Sequence, residues 1–376
     1  MTFPLCGWRA AVWAAALYSG LAQAAYEFKF PEPATKLAQD IMDLHNMMMV
    51  IILVIFVGVF AVMFYAMYAH RKSKGHPADD FHENTMVEAL WTIIPLLILI
   101  GMVVPVTKTV LEMRDTSQPD ITVKATGYQW KWGYDYLKGE GEGIRFLSVL
   151  STPREQINGS APKGEHYLQE VDRPLVVPVG KKIRVVTTAT DVIHSWSVPA
   201  FAVKQDAIPG FVRDTQFTAL REGTFRGQCT ELCGKDHGFM PVVVEVVSAE
   251  KYSNWVNEQK KMMEAAAADA GKTLGIDELI SRGEKIYAAN CVACHQPTGQ
   301  GIPGTFPALD ASKVVLGPKN AQIDLVLNGR AGTAMAAFGQ QLSDAEIAAV
   351  ITYTRNSWSN KTGEAIQADE IKTARK

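Results

Sequence analysis

The sequence predicts a multidomain membrane protein in three parts: a two-helix transmembrane hairpin, an all-β sandwich and an all-α domain. Three observations carry that prediction. Met47 to Tyr68, and the stretch between Glu88 and Lys108, hold no charged residue, and each supplies the roughly 20 residues a bilayer-crossing helix requires. Beyond Pro119 apolar and polar residues alternate at period two, the mark of half-buried strands. Beyond Glu250 the pattern turns helical around Cys291-Val292-Ala293-Cys294-His295. At 376 residues the chain has room for two or three domains, and its formal charge of −2 argues against a nucleic-acid partner.

The front of the chain has the layout of a secretory signal peptide. One cation, Arg9, precedes an apolar stretch from Ala10 to Leu21 and a small-residue Ala22-Gln23-Ala24 site. Cleavage is expected after Ala24, so 1–24 leaves with Cys6 and the four remaining cysteines all fall in motifs. Residues 25–46 then form an outer N-terminal segment and 47–111 the hairpin, with spans at about 47–68 and 89–107. Soluble buried helices would show polar residues every few positions on a wet face, and these do not. Pro95 and Pro105 are tolerable in a membrane helix with packed neighbours. Arg71, Lys72 and Lys74 crowd the connecting loop, which places it in the cytoplasm and everything after Lys108 on the outer face.

From 115 to 250 the chain reads as a sandwich. Ile121, Val123 and Ala125 alternate with Thr122, Lys124 and Thr126; Ile183, Val185 and Thr187 alternate with Lys182, Arg184 and Val186; Pro241 to Val247 is the closing strand. Gly139, Gly141, Gly143, Gly159, Gly164 and Gly180 punctuate the turns. The chemistry sits in Gly227-Gln228-Cys229-Thr230-Glu231-Leu232-Cys233-Gly234-Lys235-Asp236-His237-Gly238-Phe239-Met240. Cys233, His237 and Met240 give thiolate, imidazole and thioether donors in an order that suits copper. Cys229 adds a second thiolate, and two bridging thiolates would join two coppers. A disulfide between Cys229 and Cys233, which an exported domain permits, accounts for neither His237 nor Met240, and zinc gains nothing from a thioether. The second imidazole is His194 or His166, and His194 follows an alternating strand-like run, whereas His166 lies in a polar, glycine-flanked segment.

His194-Ser195-Trp196, Lys204-Gln205-Asp206-Ala207-Ile208-Pro209-Gly210 and the loop from Cys229 to Met240 resemble the CuA domain of subunit II of haem-copper cytochrome c oxidases. The resemblance implies a cupredoxin-like Greek-key fold and a binuclear copper centre with side-chain ligands His194, Cys229, Cys233, His237 and Met240. It implies further that the Glu231 carbonyl serves one copper, and its carboxylate a magnesium or manganese ion shared with subunit I. Tyr128-Gln129-Trp130-Lys131-Trp132-Gly133-Tyr134-Asp135-Tyr136 resembles the family's aromatic segment, where the residue matching Trp130 admits electrons from cytochrome c. Trp132 and Tyr136 read as strand filler. Tyr128, commonly histidine, and Lys131, commonly aromatic, depart from the pattern, and Lys131 sets a cation where a basic soluble donor would dock. Val87-Glu88-Ala89-Leu90-Trp91-Thr92-Ile93-Ile94-Pro95 carries the resemblance into the membrane. There Glu88 is either a proton-path residue or an interfacial charge capping a helix start.

Residues 251–275 read as a linker, a charged helix start followed by Ala265-Ala266-Ala267-Ala268 and a glycine exit. Residues 276–360 hold the attachment signature of c-type haem: Cys291 and Cys294 for two thioether bonds and His295 for the iron. Met335 is the only methionine after Met263, which makes it the sixth ligand by elimination, and such ligation raises the potential. Leu279, Gly283, Ile286 and Tyr287 line one helix, and Ser343-Asp344-Ala345-Glu346 opens another with Ile347, Val350, Ile351 and Thr354 on one side. This layout resembles class I cytochrome c, and 361–376 reads as a loose polar tail.

Taken together, the resemblance implies the electron-input subunit of a respiratory oxidase in a bacterial inner membrane, with its large C-terminal region on the periplasmic side. It would partner subunits I and III and a soluble cytochrome c donor. Oxygen would be reduced to water, coupled to proton translocation, at a haem-copper centre in subunit I, for which this chain has no ligand set. A nitrous-oxide-reductase-like enzyme shares the copper loop but needs a histidine-rich catalytic domain missing here. A plain electron carrier would not need two membrane spans.

Overall fold

The computed structural model describes residues 30–75, 82–270, 272–330 and 332–375, and the expected signal peptide lies outside them. Helix α1 (Lys36–Ala69, 34 residues) and helix α2 (Thr85–Arg114, 30 residues) are the two apolar spans, and both outrun their uncharged cores. Caps explain where they start: the Thr35 side chain accepts from the Ala38 N–H, and that of Asn84 from the Val87 N–H. Their apolar side chains point outward, Val62 at 69% and Val104 at 73% exposed, as lipid-facing residues do.

The hairpin is tied to the domain above it. The Ala34 N–H donates to the Ala200 carbonyl at 2.9 Å and the Thr35 hydroxyl to that of Phe201 at 3.1 Å. At the exit of α2, Gln216 Nε2 donates to the Glu112 carbonyl at 3.1 Å and the Thr116 hydroxyl to the Asp214 carboxylate at 2.8 Å. These bonds hold the β-domain against the ends of the two apolar helices.

Ten strands make that domain. One sheet runs β3 (Arg145–Ser148), β2 (Lys131–Lys138), β1 (Ile121–Tyr128), β5 (Lys182–Ala189), β8 (Arg213–Thr218). The other runs β4 (Leu175–Pro178), β10 (Pro241–Val247), β9 (Gly223–Cys229), β6 (His194–Val198), β7 (Val203–Ala207). β1 pairs parallel with β5 and β4 with β10; the other neighbours are antiparallel. Trp132, Trp196, Tyr134, Phe201 and Phe217 fill the space between the sheets, so Trp132 and Tyr136 are the buried filler the alternation implies. Gly227 is the one residue type possible where β9 crosses β6, since a Cβ there would stand 1.8 Å from the Ser197 carbonyl oxygen.

Helix α3 (Ala249–Ala270) corrects the linker expected over 251–275. Tyr252 and Val256 are 2% and 1% exposed within the sandwich core, so the first turns of α3 belong to the β-domain. Beyond it lie α4 (Ile276–Asn290), a single turn over Val292–His295, α5 (Lys319–Asn328), α6 (Asp344–Asn356) and α7 (Ala368–Ala374). Gly283 lets α4 lie on α6, for a Cβ there would meet the Ala349 carbonyl oxygen at 2.1 Å. The Ser343–Glu346 capping box opens α6 as its sequence requires, burying Ile347, Val350, Ile351 and Thr354. The tail is not loose. Ile366 and Ile371 are fully buried, Gln367 exchanges hydrogen bonds with the Leu274 backbone, and Arg375 pairs with Asp344 at 2.7 Å. Two isoleucines among polar residues, with these bonds and the Arg355–Glu364 ion pair, hold 361–376 on its domain.

Candidate functional site

The loop between β9 and β10 gathers the expected donors. Cys229 ends β9 and Met240 directly precedes β10, and the Cys229 N–H donates to the Met240 carbonyl at 3.3 Å, closing the loop at its base. β6 pairs with β9 so that Trp196 faces Cys229, which carries His194, the first residue of β6, to the same end of the sheet. Cys229 Sγ lies 3.9 Å from Cys233 Sγ and 4.0 Å from His194 Nδ1. Cys233 Sγ in turn lies 3.3 Å from His237 Nδ1 and 3.5 Å from Met240 Sδ. The Glu231 carbonyl is 3.3 Å from Cys229 Sγ while its side chain is exposed. All four cysteines among the described residues are free thiols, with the Cys229 and Cys233 sulfurs 3.9 Å apart. His166 takes no part, being half-buried in a loop elsewhere.

His194, Cys229 and Cys233 bring their donor atoms within 4.8 Å of one another, a sulfur and nitrogen set that could hold a soft metal ion. The hydrogen bond between the two thiols, aided by His194, holds Cys229 below its ordinary value and pushes Cys233 above its own, so the pair favours one negative charge. Burial alone would lower His194, yet the hydrogen bonds to Asp191 and Cys229 hold it above its ordinary value. Asp191 Oδ1 stands 2.8 Å from His194 Nε2 and accepts its proton, leaving Nδ1 to face the cluster.

Three supporting residues had escaped sequence reasoning. Asp191 also accepts from the Gln129 N–H at 2.7 Å through its other oxygen. Gln129 Nε2 donates to the Cys233 carbonyl at 2.9 Å, the atom that also receives Trp130 Nε1 at 3.2 Å. Gly127 leaves room for the His194 ring, which a Cβ would meet at 2.6 Å. Only Asp191, three residues ahead of His194, carried a local signal. Trp130 is thus bonded directly to the metal loop. Lys131, expected as a displayed cation, is 4% exposed. Its ammonium donates to Asn290 Oδ1 at 2.8 Å and lies 5.0 Å from the Phe338 ring centre, both in the helical domain.

In that domain Cys291, Cys294 and His295 lie half-buried on and beside the turn that follows α4. His295 Nδ1 is 2.9 Å from the Pro307 carbonyl, an acceptor only, so its N–H points there and Nε2 carries the free lone pair. Burial lowers the His295 pKa and favours the neutral, ligating form. These groups fit a covalently attached haem. Met335 is half-buried on the loop after α5, with its N–H received by the Thr333 hydroxyl at 3.2 Å. Glu88 is half-buried in the first turn of α2, and its carboxylate accepts from the Asn84 N–H at 3.3 Å, the capping role.

Three family models divide the chain as its structure does. Cytochrome C oxidase subunit II, transmembrane domain, matches residues 23–108; cytochrome C oxidase subunit II, periplasmic domain, matches 121–247; cytochrome C oxidase, cbb3-type, subunit III, matches 278–353. They define a membrane protein with a β-sandwich bearing a CuA-like His/Cys site and a C-terminal cytochrome c domain. Cytochrome c oxidase subunit 2 of Cyanidium caldarium is 38% identical over 237 residues, 62% of this chain and 91% of that protein. That of Cereibacter sphaeroides is 36% identical over 61% of this chain and 80% of its own length. Among solved structures, the periplasmic domain of subunit II of cytochrome oxidase (CoxB) of Bradyrhizobium japonicum is 45% identical, covering 39% of this chain and 96% of that one with a TM-score of 0.34. The chain belongs to the cytochrome c oxidase subunit 2 family, part of an oxidoreductase complex.

Proposed function

We propose that this chain is the electron-input subunit of a respiratory oxidase, taking electrons at its cytochrome c domain and delivering them through its copper domain to subunit I. The convergence of Cys229, Cys233, His194, His237 and Met240 at 3.3–4.0 Å carries the reading. His194, Cys229, Cys233, His237, Met240 and the Glu231 carbonyl would hold two coppers, and Cys291, Cys294, His295 and Met335 one haem. When bound, these groups supply one-electron chemistry. The protein's part is to hold them. Thiol pairs fix the spacing, Asp191 and the Pro307 carbonyl orient the two imidazoles, and the sandwich keeps water from the sulfurs.

Trp130, hydrogen-bonded to the Cys233 carbonyl, is the natural conduit into the metal loop. The exposed Glu231 carboxylate is free to share a magnesium or manganese ion with subunit I. Glu88 supports its own helix start, and that capping role is the reading its contacts favour over a proton path. The cations Arg71, Lys72 and Lys74 between the spans orient the loop to the cytoplasm of a bacterial inner membrane and the copper and haem domains to the periplasm. Oxygen reduction and the proton translocation it drives belong to subunit I, with subunit III as a further neighbour.

The test is metal content with optical and electron paramagnetic resonance spectra of the purified outer region. Two coppers and one haem are expected, with a mixed-valence dicopper signal beside a c-type haem band. Cys229→Ser should abolish the dicopper signal and leave the haem band. A preparation holding one metal, or Cys229 joined to Cys233, overturns the reading.

A further inference from the structure

The helical domain does not hang free of the sandwich: it is seated on the face that carries Trp130, and one side chain marks the seat. Lys131 is next to Trp130, whose indole bonds the Cys233 carbonyl. Its own ammonium reaches away from the sandwich to Asn290 Oδ1 at 2.8 Å and to the face of Phe338 at 5.0 Å. Asn290 is the residue before Cys291, and Phe338 follows Met335 by three positions. One lysine therefore touches both rims of the haem site, the attachment turn and the sixth-ligand loop. Asn290 is oriented for this, since its Nδ2 donates to the Ile286 carbonyl at 3.0 Å and leaves Oδ1 to accept. Around it Leu147 of β3 packs on the helical core.

We propose that Lys131 is a positioning residue that latches the haem domain onto the copper domain beside Trp130, and that this latch sets the rate of electron transfer between the two domains. Burying an ammonium is costly, and an apolar side chain would glue two surfaces more cheaply. A buried amine instead demands a donor-acceptor match. Away from Asn290 and Phe338 it returns to water, so one docked geometry is singled out from the many an apolar contact would allow. Burial accordingly lowers the Lys131 pKa to about 8. The step served would be a one-electron transfer from the group that Cys291, Cys294, His295 and Met335 would hold to the one that His194, Cys229, Cys233, His237 and Met240 would hold, with no bond made and no proton passed by the chain.

The inference rests on the function proposed above, and the experiment separates the two. In the assembled oxidase, Lys131→Met, Lys131→Arg and Asn290→Ala are compared with the native complex by amide hydrogen exchange and by the haem-to-copper rate after flash reduction. Lys131→Met should speed exchange over 128–132 and 286–296 and slow the transfer, each by about tenfold, the loss of one charge-assisted hydrogen bond. Dicopper and haem spectra should stay native. Lys131→Arg, which keeps cation and donor, should recover most of both, and Asn290→Ala, which leaves the copper domain untouched, should reproduce the loss even where Lys131→Met does not assemble. Native exchange with a slowed rate, a native rate with faster exchange, or neither change overturns the latch. A native complex lacking the dicopper or haem signal sinks the functional reading instead.

Discussion

The copper domain and the haem domain hold their chemistry in opposite ways. Cys229, Cys233, Met240 and His194 are each at most 4% exposed, set in the core of a sandwich whose strands clamp the metal loop at both ends. Cys291, Cys294, His295 and Met335 are only half-buried and sit on a helix end, a single turn and a loop. The copper site is thus an attachment to a finished core. The helical domain has a core of its own, built from Tyr287, Ile323, Leu327, Ile347, Val350 and Ile351, with those four residues half-buried beside it, and a haem held there would add apolar surface to that core.

The largest effect that tests this contrast comes from withdrawing each group. Chelating the copper should leave the sandwich folded, with its amides still protected. Cys291→Ser with Cys294→Ser should leave the haem domain open to protease while the sandwich persists. Equal resistance of both domains would erase the distinction.

The same contrast governs what could be read in advance. Pro241–Val247 is the closing strand its sequence implies, and the donors from Cys229 to Met240 lie within one twelve-residue loop, so their spacing is a local property, whereas His194 comes from another strand. The attachment turn and the capping box of α6 are local too. Gly127 and Gln129 act through partners some sixty or a hundred residues away, and no period or motif marks such contacts, whereas Asp191 stands three residues from the His194 it orients. Lys131 misled because burial of a cation is decided by a second domain. The tail misled because Ile366 and Ile371 are sparse among polar residues, yet two well-placed side chains bury fully.

That tail offers a smaller effect on one side only. Ile371→Ala removes a fully buried side chain under α6 and should cost the haem domain about 3 kcal/mol, seen as an earlier unfolding transition. The sandwich transition should not move. A shift in both would mean that the domains unfold as one unit and that the interface, not the separate cores, dominates stability.

The smallest effect concerns how each imidazole is aimed. His295 is oriented by the Pro307 backbone carbonyl, which no substitution removes, whereas His194 depends on the Asp191 side chain. Asp191 receives three hydrogens, from His194 Nε2, the Gln129 N–H and the Val192 N–H, and a carboxylate can accept all of them. In Asp191→Asn one oxygen becomes an NH2, so whichever way the amide turns, at least one of these donors faces another donor. His194 keeps its place in β6, where backbone pairing with Ala207 holds it, but loses its fixed ring orientation. Copper affinity should fall about tenfold, the usual weight of such an orienting contact, in a competitive chelator titration, with the melting transition little changed. Unaltered affinity would show that the strand alone aims His194, and that the two sites differ in burial but not in how their histidines are held.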